Sequence, residues 1–502
     1  MSIETTTGVS VELPATPAHA LEPTPQPTET AAPGVAAEPR IEQTGATGPC
    51  GRDDTLARAI LWAVSRALPP GSGLTASMDG ASASGAGTSA VGPGDAASSL
   101  AASRRAHVRV HGPAALARML PPTENAFADA YLRGDVDIDG DIALAIAAAR
   151  GIDVRRLSPA DIRRVARWSL ELRLARRDDP GVALARPAAR LTGPRHSRAR
   201  DLAAIRFHYD VGEAFYRLWL DRRLTYSCAY FERDDDPVRD LDDAQAAKLD
   251  LVCRKLDLRP GQRLLDIGCG WGSLLLHAAE RYKVNAVGVT LSERQADEAN
   301  RRAALMGLDH RVRAEVRDYR DLAPLGEFDA VASIGMFEHV GAAKLPEYFR
   351  AAYDALTPGG RFLNHGIASA ARGAGATPSR DGWRGGLRRA TFTERYVFPD
   401  GELVPVERAI AVARDATGFE VLDVQSLRPH YALTLRAWVQ RLESAWAESV
   451  DAAGEEVART WRLYMAGARV SFERGEIDVA QLLLAKPLGD HEPAPRPLRP
   501  WW

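Results

Sequence analysis

The sequence predicts an α/β protein whose centre is a doubly wound, mostly parallel sheet of seven strands. Apolar strand patterns alternate with helical patterns in the second half of the chain, which is typical of a parallel sheet with helices on both faces. In addition, the apolar pattern of Arg263–Ile267 is followed by Gly268, Gly270 and Gly272, and a helical pattern begins at Ser273. A strand, a glycine turn and a helix N-terminus predict a nucleotide-binding loop, because glycines let a ligand approach the backbone closely.

The composition is that of an ordinary soluble protein, with 45% hydrophobic and 26% charged residues in a chain of 502. The formal net charge of −2 gives no indication of a nucleic-acid partner. The four cysteines are scattered without a C-x-x-C pair, so we expect neither disulfides nor a metal site. No apolar run approaches the roughly twenty residues of a membrane span, and a signal-peptide pattern is missing, which favours the cytoplasm.

The first part of the chain predicts a disordered tail and then a small α+β domain. Residues 1–53 are rich in Pro, Ala, Thr and Glu and bury too little apolar area to fold. The small domain covers 54–165, and within it Thr55–Leu68 repeats apolar residues at helical spacing. This helix either packs on the domain, which its weakly charged polar face favours, or lies on a membrane surface. Residues 81–103, mainly Ala, Gly and Ser, predict a flexible insertion.

An arginine-rich segment follows, and two interpretations of it stay open. Residues 161–200 carry eleven arginines and no lysine against four acids. The segment 166–200 is either a solvated interdomain linker, as charge runs commonly are, or a patch for anionic lipid headgroups. We expect the large α/β domain over 201–490 and a C-terminal tail over 491–502.

Within the large domain, the ends of three predicted strands point to one crevice. Ligands of such sheets bind at the carboxyl ends of the strands, which brings Gly268, Glu338 and His365 together. A dinucleotide site would place an acid about twenty residues after the glycine turn, and its absence from Val284–Leu291 argues against NAD. The predicted strands are Arg263–Ile267, Val284–Thr290, Val312–Val316, Phe328–Gly335, Arg361–Ala368, Phe419–Leu427 and Val479–Ala485, and one long helix is predicted over Leu433–Val450.

A set of ordered motifs in this domain carries a family resemblance. The motifs are HYDVGEAFYRLWLDRRLTYSCAYF (His208–Phe231), LLDIGCGWG (Leu264–Gly272), TLSERQ (Thr290–Gln295), RDYRD (Arg317–Asp321), SIGMFEHVG (Ser333–Gly341), NHGIA (Asn364–Ala368), YVFPDGELVP (Tyr396–Pro405) and HYALTLRAW (His430–Trp438). With them the chain resembles the cyclopropane-fatty-acyl-phospholipid synthases and the mycolic-acid methyltransferases, which use S-adenosylmethionine. The resemblance implies a Rossmann-like methyltransferase sheet, and residues 54–165 more weakly resemble the N-terminal domain of the bacterial synthases.

The resemblance implies a set of residues around S-adenosylmethionine. Asp266 would orient the glycine loop or attract the sulfonium side of the cofactor, and Gln295 would bind the ribose hydroxyls. Asp318 would accept a hydrogen bond from the adenine amine, with Tyr319 beside the ring. The full set is Tyr226, Ser227, Asp266, Gly268, Gly270, Gly272, Thr290, Gln295, Asp318 and Tyr319.

The reaction implied by the resemblance is methylation of an alkene in a phospholipid acyl chain. It gives a carbocation, and loss of a proton from the new methyl group closes a cyclopropane ring. Such chemistry requires a dry apolar slot and a base, which the family supplies as bound bicarbonate. The matching positions for bicarbonate are Cys228, Glu338, His365, Ile367 and Tyr431. By this resemblance Glu338 and His365 would hold the anion, Cys228 and Ile367 would offer backbone N–H groups to it, and Tyr431 would supply a hydroxyl.

The resemblance further implies an unsaturated phospholipid in a bilayer as partner, transient contact with the inner face of the membrane, and compatibility with a homodimer. Asn364-His365-Gly366-Ile367 departs from the family's usual His-Thr-Ile setting. An alternative product is therefore a methyl- or methylene-branched chain. A lipid carrier with a relic cofactor site is a second hypothesis, which the complete set of catalytic positions disfavours. A small-molecule or nucleic-acid methyltransferase is a third, but the sequence has neither an N-P-P-Y motif nor a basic groove.

Overall fold

The computed structural model describes residues 52–496, except for longer gaps at 85–104, 371–382 and 385–386 and for residues 70–71, 79–80, 121, 180, 182, 185, 187, 210, 235 and 389. The predicted tail thus lies outside the described residues, apart from residues 52 and 53, which belong to the first helix. None of the helices that the structure describes is long and apolar enough to cross a membrane.

The central sheet has seven strands in the order β12-β13-β9-β8-β5-β6-β7. Strands β5 to β9 pair in parallel, whereas β13 runs antiparallel to both β9 and β12. The predicted fold class, a doubly wound and mostly parallel sheet, is therefore confirmed. The strands are β5 (Arg263–Ile267), β6 (Asn285–Thr290), β7 (Val312–Val316), β8 (Phe328–Ile334), β9 (Leu356–Ser369), β12 (Glu420–Ser426) and β13 (Ile477–Ala485).

Helices cover both faces of this sheet. Side chains alternate between the two faces of each strand, so apolar residues on both faces need a covering layer. In β5, Leu264 belongs to one buried apolar cluster and Leu265 to another. The predicted helix Leu433–Val450 is in fact two helices that meet near Ala445. The helices of this region are α6 (Arg198–Tyr209), α7 (Glu213–Trp219), α8 (Pro237–Lys255), α9 (Ser273–Tyr282), α10 (Glu293–Leu305), α11 (Leu345–Asp354), α12 (Phe392–Tyr396), α13 (Val406–Thr417), α14 (Arg428–Ser444), α15 (Trp446–Ala453) and α16 (Glu455–Glu473), with two-residue strands β10 (Trp383–Arg384) and β11 (Leu387–Arg388).

The N-terminal part forms a second sheet, with strand order β2-β1-β3-β4. Strands β1 and β3 are parallel, and the other pairs are antiparallel. Its elements are α1 (Arg52–Ala67), β1 (Leu74–Met78), β2 (Ala81–Ser84), β3 (Ala106–Val110), α2 (Gly112–Arg118), α3 (Glu124–Leu132), β4 (Val136–Gly140), α4 (Ile142–Arg150) and α5 (Pro159–Ala175).

The predicted insertion 81–103 is wrong at its beginning, because Ala81–Ser84 is a strand at the edge of the small sheet. Its backbone pairs with β1, from Met78↔Ala81 to Thr75↔Ser84. Ala and Ser have little strand propensity, so backbone pairing rather than side-chain pattern defines this strand. Residues 85–103 of the predicted insertion lie outside the described residues.

The predicted domain boundary at residue 165 is also wrong, since it falls inside α5. Ser158 caps this helix by accepting a hydrogen bond from the Asp161 N–H, and Pro159 occupies its first turn. Leu172 is fully buried in one cluster with Ile60 of α1. The N-terminal unit therefore continues to Ala175, and the predicted linker 166–200 begins within a packed helix. The same cluster agrees with the interpretation that α1 packs on the small domain.

In the described part of the chain, neither the predicted linker nor the predicted C-terminal tail marks the limit of a separately packed domain. One apolar cluster contains Leu68 and Tyr131 of the N-terminal unit together with Trp219 and Trp438 of the large domain. At the other end, residues 491–496 contact the central sheet: Ala494 is buried, and Arg496 pairs with Glu420 of β12 at 2.8 Å. The boundary predicted at residue 490 is therefore too early.

Candidate functional site

The glycine loop lines a cavity at the carboxyl ends of β5 and β6. Gly270 has a φ of +53°, and a Cβ placed there would point into open space, so its hydrogen leaves room for a ligand. Gly272 has a φ of +81°, and its Cβ would lie 2.8 Å from Cβ of Ala299. Gly272 does not line the cavity but lets α10 pack closely on the loop. Gly270 and Gly272 thus serve different purposes within one turn.

A buried acid, a lysine and a serine form the floor of this first cavity. Asp266 at the end of β5 is 3% exposed, and its Oδ1 has no hydrogen-bond partner in the described residues. Burial raises the pKa of Asp266 to about 7, against the effect of the Lys248 ammonium. The fully buried Lys248 donates to Ser227 Oγ at 2.7 Å, and burial lowers its pKa to about 8. The floor of the first cavity therefore offers Oδ1 of Asp266, which has no partner among the described residues. The nearby Lys248 ammonium favours the ionised form of this carboxyl.

Sequence reasoning missed Lys248, although the helical pattern of α8 contains a signal for it. Leu241, Ala244, Lys248 and Val252 recur at spacings of three and four residues, and all are buried. A lysine at a core position of an amphipathic helix is rare unless a partner compensates its charge. This signal alone could have marked Lys248 as a functional candidate.

On the other side of the first cavity, Thr290 positions Gln295. The Thr290 hydroxyl donates to Oε1 of Gln295 at 2.8 Å, which fixes the amide. Nε2 of Gln295 is then buried without a hydrogen-bond partner among the described residues, so a ligand oxygen would satisfy it. This orientation is compatible with the predicted contact to ribose hydroxyls.

The structure separates Asp318 from Tyr319. Tyr319 lines the first cavity and packs edge-on against Tyr348, with ring centroids 5.7 Å apart. Asp318 does not line it: both its oxygens accept hydrogen bonds from Arg320, each at 2.7 Å. Arg320 thus shares the Asp318 carboxylate, which keeps a lone pair for a further donor, and the contact between Asp318 and an adenine amine stays a prediction. The predicted residues that line the first cavity are Tyr226, Ser227, Asp266, Gly268, Gly270, Thr290, Gln295 and Tyr319.

A second, mostly apolar cavity of about 1260 Å³ runs between the two sheets. It exceeds the roughly 300–1,000 Å³ of common small-molecule pockets. Its walls include Leu61 and Phe127 of the N-terminal unit as well as Phe398 and Leu463 of the large domain. All five predicted catalytic residues line it: Cys228, Glu338, His365, Ile367 and Tyr431.

Glu338 and His365 each present one unpaired polar atom in this second cavity. Oε1 of Glu338 accepts the Ile367 N–H at 2.7 Å, whereas Oε2 is buried without a partner among the described residues. Burial raises the pKa of Glu338 to about 7 and lowers the pKa of His365 well below its usual value. Because Gln481 Nε2 lies 3.3 Å from His365 Nδ1 as a donor, the neutral ring carries its proton on Nε2, which has no partner in the described part.

Two details of the predicted catalytic set are wrong. The N–H of Ile367 is already donated to Glu338, so it orients that carboxyl and is not free for an anion. Glu338 and His365 do not end strands: Glu338 lies on a 3-10 turn, Phe337–His339, after β8, and His365 lies inside the 14-residue β9. The thiol of Cys228 is fully buried against the carbonyls of Ala229 and Leu427, and burial raises its pKa.

The two cavities meet at a small set of shared residues. Tyr226 and Ser227 lie on the segment after α7, whereas Gly335 and His339 follow β8. These four and Tyr209 line both cavities. The two cavities therefore adjoin at these five residues. Within the described residues, no cluster of His, Cys, Asp and Glu could hold a metal ion.

Known proteins are similar to this chain in sequence and in fold. Residues 196–482 match the family model described as mycolic acid cyclopropane synthetase. A probable fatty acid methyltransferase of Pseudomonas putida is 38% identical over 391 residues, which cover 78% of this chain and 90% of that protein. A second probable fatty acid methyltransferase, from Mycobacterium tuberculosis, is 38% identical over 76% of this chain and 86% of its own length.

Two solved structures are similar to this chain in fold as well as in sequence. The cyclopropane synthase MmaA2 from Mycobacterium tuberculosis superposes with a TM-score of 0.51 at 36% identity, over 57% of this chain and 98% of that chain. The mycolic acid cyclopropane synthase CmaA1, solved as a complex with SAH and CTAB, gives the same TM-score, identity and coverage. With the family model spanning more than half of its length, the chain belongs to the mycolic acid cyclopropane synthetase family.

Proposed function

We propose that this protein transfers a methylene group from S-adenosylmethionine to the double bond of an unsaturated phospholipid acyl chain and so forms a cyclopropane ring. The observation that carries the proposal is the junction of two cavities, one polar and one apolar, beside Glu338 and His365. Family membership supports methyl transfer to lipid chains, and the related structure of CmaA1 contains SAH.

The residues of the first cavity fit S-adenosylmethionine. The unpaired Oδ1 of Asp266 can accept from or attract the positive side of the cofactor, and Nε2 of Gln295 can donate to a ribose oxygen. Gly270 leaves room for the ligand against the backbone. When bound, S-adenosylmethionine supplies an electrophilic methyl group on a sulfonium. Tyr226 and Ser227 line both cavities, so they would lie between the methyl group of the cofactor and the acyl chain or beside them.

The second cavity provides the dry surroundings that a cationic acyl chain requires. Aliphatic side chains form much of its wall and exclude water. Tyr226, Phe398, Tyr431 and Tyr464 also line it, and aromatic ring faces attract cations. A cation that forms there is thus protected from water and stabilised by fixed rings.

Glu338 and His365 are proposed to hold bicarbonate, which when bound supplies a base for the methyl proton. A neutral Glu338 can donate from Oε2, and the neutral His365 ring can donate from Nε2. Two buried donors without a partner among the described residues fit a small oxyanion better than a cation. Ile367 contributes by orienting the Glu338 carboxyl through its N–H.

A branched product is the second candidate, because Gly366 departs from the family pattern. The structure gives this glycine a local reason: a Cβ at position 366 would lie 2.8 Å from Cβ of Phe337, on the turn that carries Glu338. The glycine thus makes room for the catalytic turn, and it leaves His365 in place.

The test is the NMR spectrum of phospholipids from cells that express the protein, compared with cells that express Glu338→Gln. Cyclopropane methylene protons are expected only with the native protein. Vinylidene or methyl-branch signals would replace the cyclopropane proposal by the branched one. In parallel, purified protein with S-adenosylmethionine is expected to modify unsaturated phospholipid in detergent micelles, and cofactor binding without any lipid product would favour a carrier.

A further inference from the structure

We propose that the outer face of α5 is the surface on which this protein docks onto an anionic phospholipid bilayer. This inference rests on the proposed function, because it concerns how a membrane lipid reaches the apolar cavity. The surface consists of Arg163, Arg167, Leu170, Arg173 and Leu174, and it is called the α5 face below. Three independent observations support it: the order of residues on the helix, their charge, and the position of the helix beside the cavity.

The helix exposes large apolar side chains on the face opposite its buried one. Leu172 is 0% exposed, whereas Leu170 is 56% and Leu174 is 60% exposed. Arg163 and Arg167 precede these two leucines at spacings of four, three and four residues, so all four side chains share one face. A face of exposed leucines with arginines among them is typical of helices that lie in a membrane interface. The long arginine side chains can reach the headgroups while the leucines enter the acyl boundary.

The charge of the α5 face complements an anionic surface. Arg167 reaches Glu171 only at 3.5 Å, and Arg164 reaches Asp161 only at 3.6 Å, so both pairs are loose. Within the described ranges, Arg163 and Arg173 form no ion pair. Beyond the end of the helix, Arg176 pairs with Asp53 at 2.9 Å and Arg177 with Asp178 at 3.4 Å, so the uncompensated positive charge lies on the α5 face itself. A bilayer with anionic headgroups therefore matches this face better than a neutral one or an apolar protein surface.

The same helix borders the cavity that is proposed to hold the acyl chain. Val165 and Ser169 lie on the side of α5 that carries Leu172, opposite the α5 face, and they line the second cavity together with Val64 of α1, which is 38% exposed. That cavity continues to Glu338 and His365. The helix α5 thus has the α5 face on its outer side and the cavity on its inner side, so a bilayer at the α5 face lies one helix diameter, roughly 10 Å, from the cavity. Docking at this face would therefore hold the membrane close to the apolar cavity.

The test combines vesicle binding with a turnover assay that needs no membrane. Arg163, Arg167 and Arg173 are changed together to Gln, and the matched control changes the exposed Arg281, Arg408 and Arg414 to Gln. Binding is measured by co-sedimentation with phosphatidylglycerol vesicles and with phosphatidylcholine vesicles over a range of salt concentrations. Turnover is measured on unsaturated phospholipid in detergent micelles.

We expect the α5 triple variant to bind phosphatidylglycerol vesicles roughly a hundredfold more weakly, since each arginine near such a surface contributes about fivefold. The control variant should bind like the native protein, and native binding should weaken steeply with salt. Leu170→Ser with Leu174→Ser should also weaken binding, but without reducing the salt dependence.

Equal binding of the native protein and the α5 triple variant would overturn the inference, as would equal native binding to both vesicle types. A change of oligomeric state in the α5 variants would assign the face to a second copy of the chain instead. Micellar turnover separates this inference from the proposed function: it should be unchanged in the α5 variants. Its absence in the native protein would refute the function whatever the vesicles show.

Discussion

At the scale of single residues, the buried carboxyl of Glu338 carries the strongest prediction. Glu338→Gln keeps the acceptor for the Ile367 N–H, and its amide can still donate to an anion, but it can no longer exchange a proton at Oε2 with the bicarbonate proposed beside it. Since this exchange would carry the methyl proton away, turnover is expected to fall by roughly 10²–10⁴-fold, as for other general acid–base steps, whereas cofactor affinity stays nearly normal. Removing dissolved carbonate should slow the native enzyme and have little further effect on the variant. Native turnover in the variant would refute the assignment, and Glu347→Gln, at a surface carboxylate of α11, is the control.

The pH dependence of stability shows whether Glu338→Gln merely unfolds the protein. Burial raises the pKa of Glu338 from 4.5 to about 7. Between these values the folded protein keeps a proton that the unfolded chain loses, so the native free energy of unfolding falls as pH rises through this window. The variant lacks this loss and should be more stable than the native protein at pH 8, by about 1–3 kcal/mol, with no such gain at pH 4. Urea denaturation at both pH values measures the difference, and an unstable variant at pH 8 would contradict it.

Lys248 provides a prediction for the first cavity. Its ammonium donates to Ser227 Oγ and opposes the burial that raises the pKa of Asp266 to about 7, so without it this pKa would be higher still. Lys248→Met should let Asp266 stay protonated at pH 7, so affinity for S-adenosylmethionine falls at least tenfold and partly recovers at pH 8.5. Calorimetric titration at both pH values measures this. Lys344→Met, at a surface pair with Glu347, should bind normally. Equal affinities would show that Lys248 only supports the fold.

What the sequence reveals at this scale depends on whether a residue's partner is close along the chain. The five catalytic positions could be identified from motifs, and the structure brings them to one cavity. The hydrogen bond from Ile367 to Glu338 joins residues 29 positions apart, and no local pattern encodes it. Even a near neighbour can be missed: the motif suggested a ligand contact for Asp318 but not its paired hydrogen bonds from Arg320, two positions on. Competing partners of this kind require the three-dimensional structure.

At the scale of elements, the glycine loop allows a matched comparison. Gly270 and Gly307 both have a positive φ, +53° and +67°, and a Cβ at either position meets nothing within 4 Å. Alanine at either position therefore costs similar backbone strain, of order 1 kcal/mol. Only Gly270 lines the first cavity, so Gly270→Ala should weaken S-adenosylmethionine binding at least tenfold and Gly307→Ala should not. Calorimetry and thermal unfolding of both variants provide the test, and equal affinities would remove Gly270 from the site.

Elements with strong periodicity could be predicted, whereas those defined by pairing or packing could not. The apolar β5 and the capped α10 follow directly from residue pattern. The strand β2 has no such pattern, because its Ala and Ser residues are held by backbone hydrogen bonds to β1. The helix α5 was obscured by its arginines, which occupy its exposed side while Leu172 anchors the other. A charge run thus indicates exposure but does not indicate the absence of a helix.

At the scale of the whole molecule, the N-terminal unit forms part of the second cavity. The sequence predicts two domains joined by a linker, but Leu61 and Phe127 line the same cavity as Glu338 and His365. A cavity of about 1260 Å³ arises only where the two sheets face each other. Its existence could not be predicted from the sequence, because each half supplies only one wall. The size of the cavity is therefore a property of both units together.

The helix α16 offers a position at which the cavity can be filled without strain. Gly467 lies inside this helix and lines the cavity, and a Cβ there meets nothing within 4 Å. Gly467→Ala and Gly467→Leu should both keep or raise the melting temperature, since glycine costs about 1 kcal/mol relative to alanine inside a helix. Turnover of long-chain phospholipid should fall slightly for Ala and at least tenfold for Leu, with unchanged affinity for S-adenosylmethionine.

Turnover of short-chain phospholipid should be affected less, because a short acyl chain needs less of the cavity. A Leu variant that keeps native turnover on long chains would show that the acyl chain lies elsewhere, and equal losses on both chain lengths would indicate a disturbed catalytic centre instead of a shortened cavity.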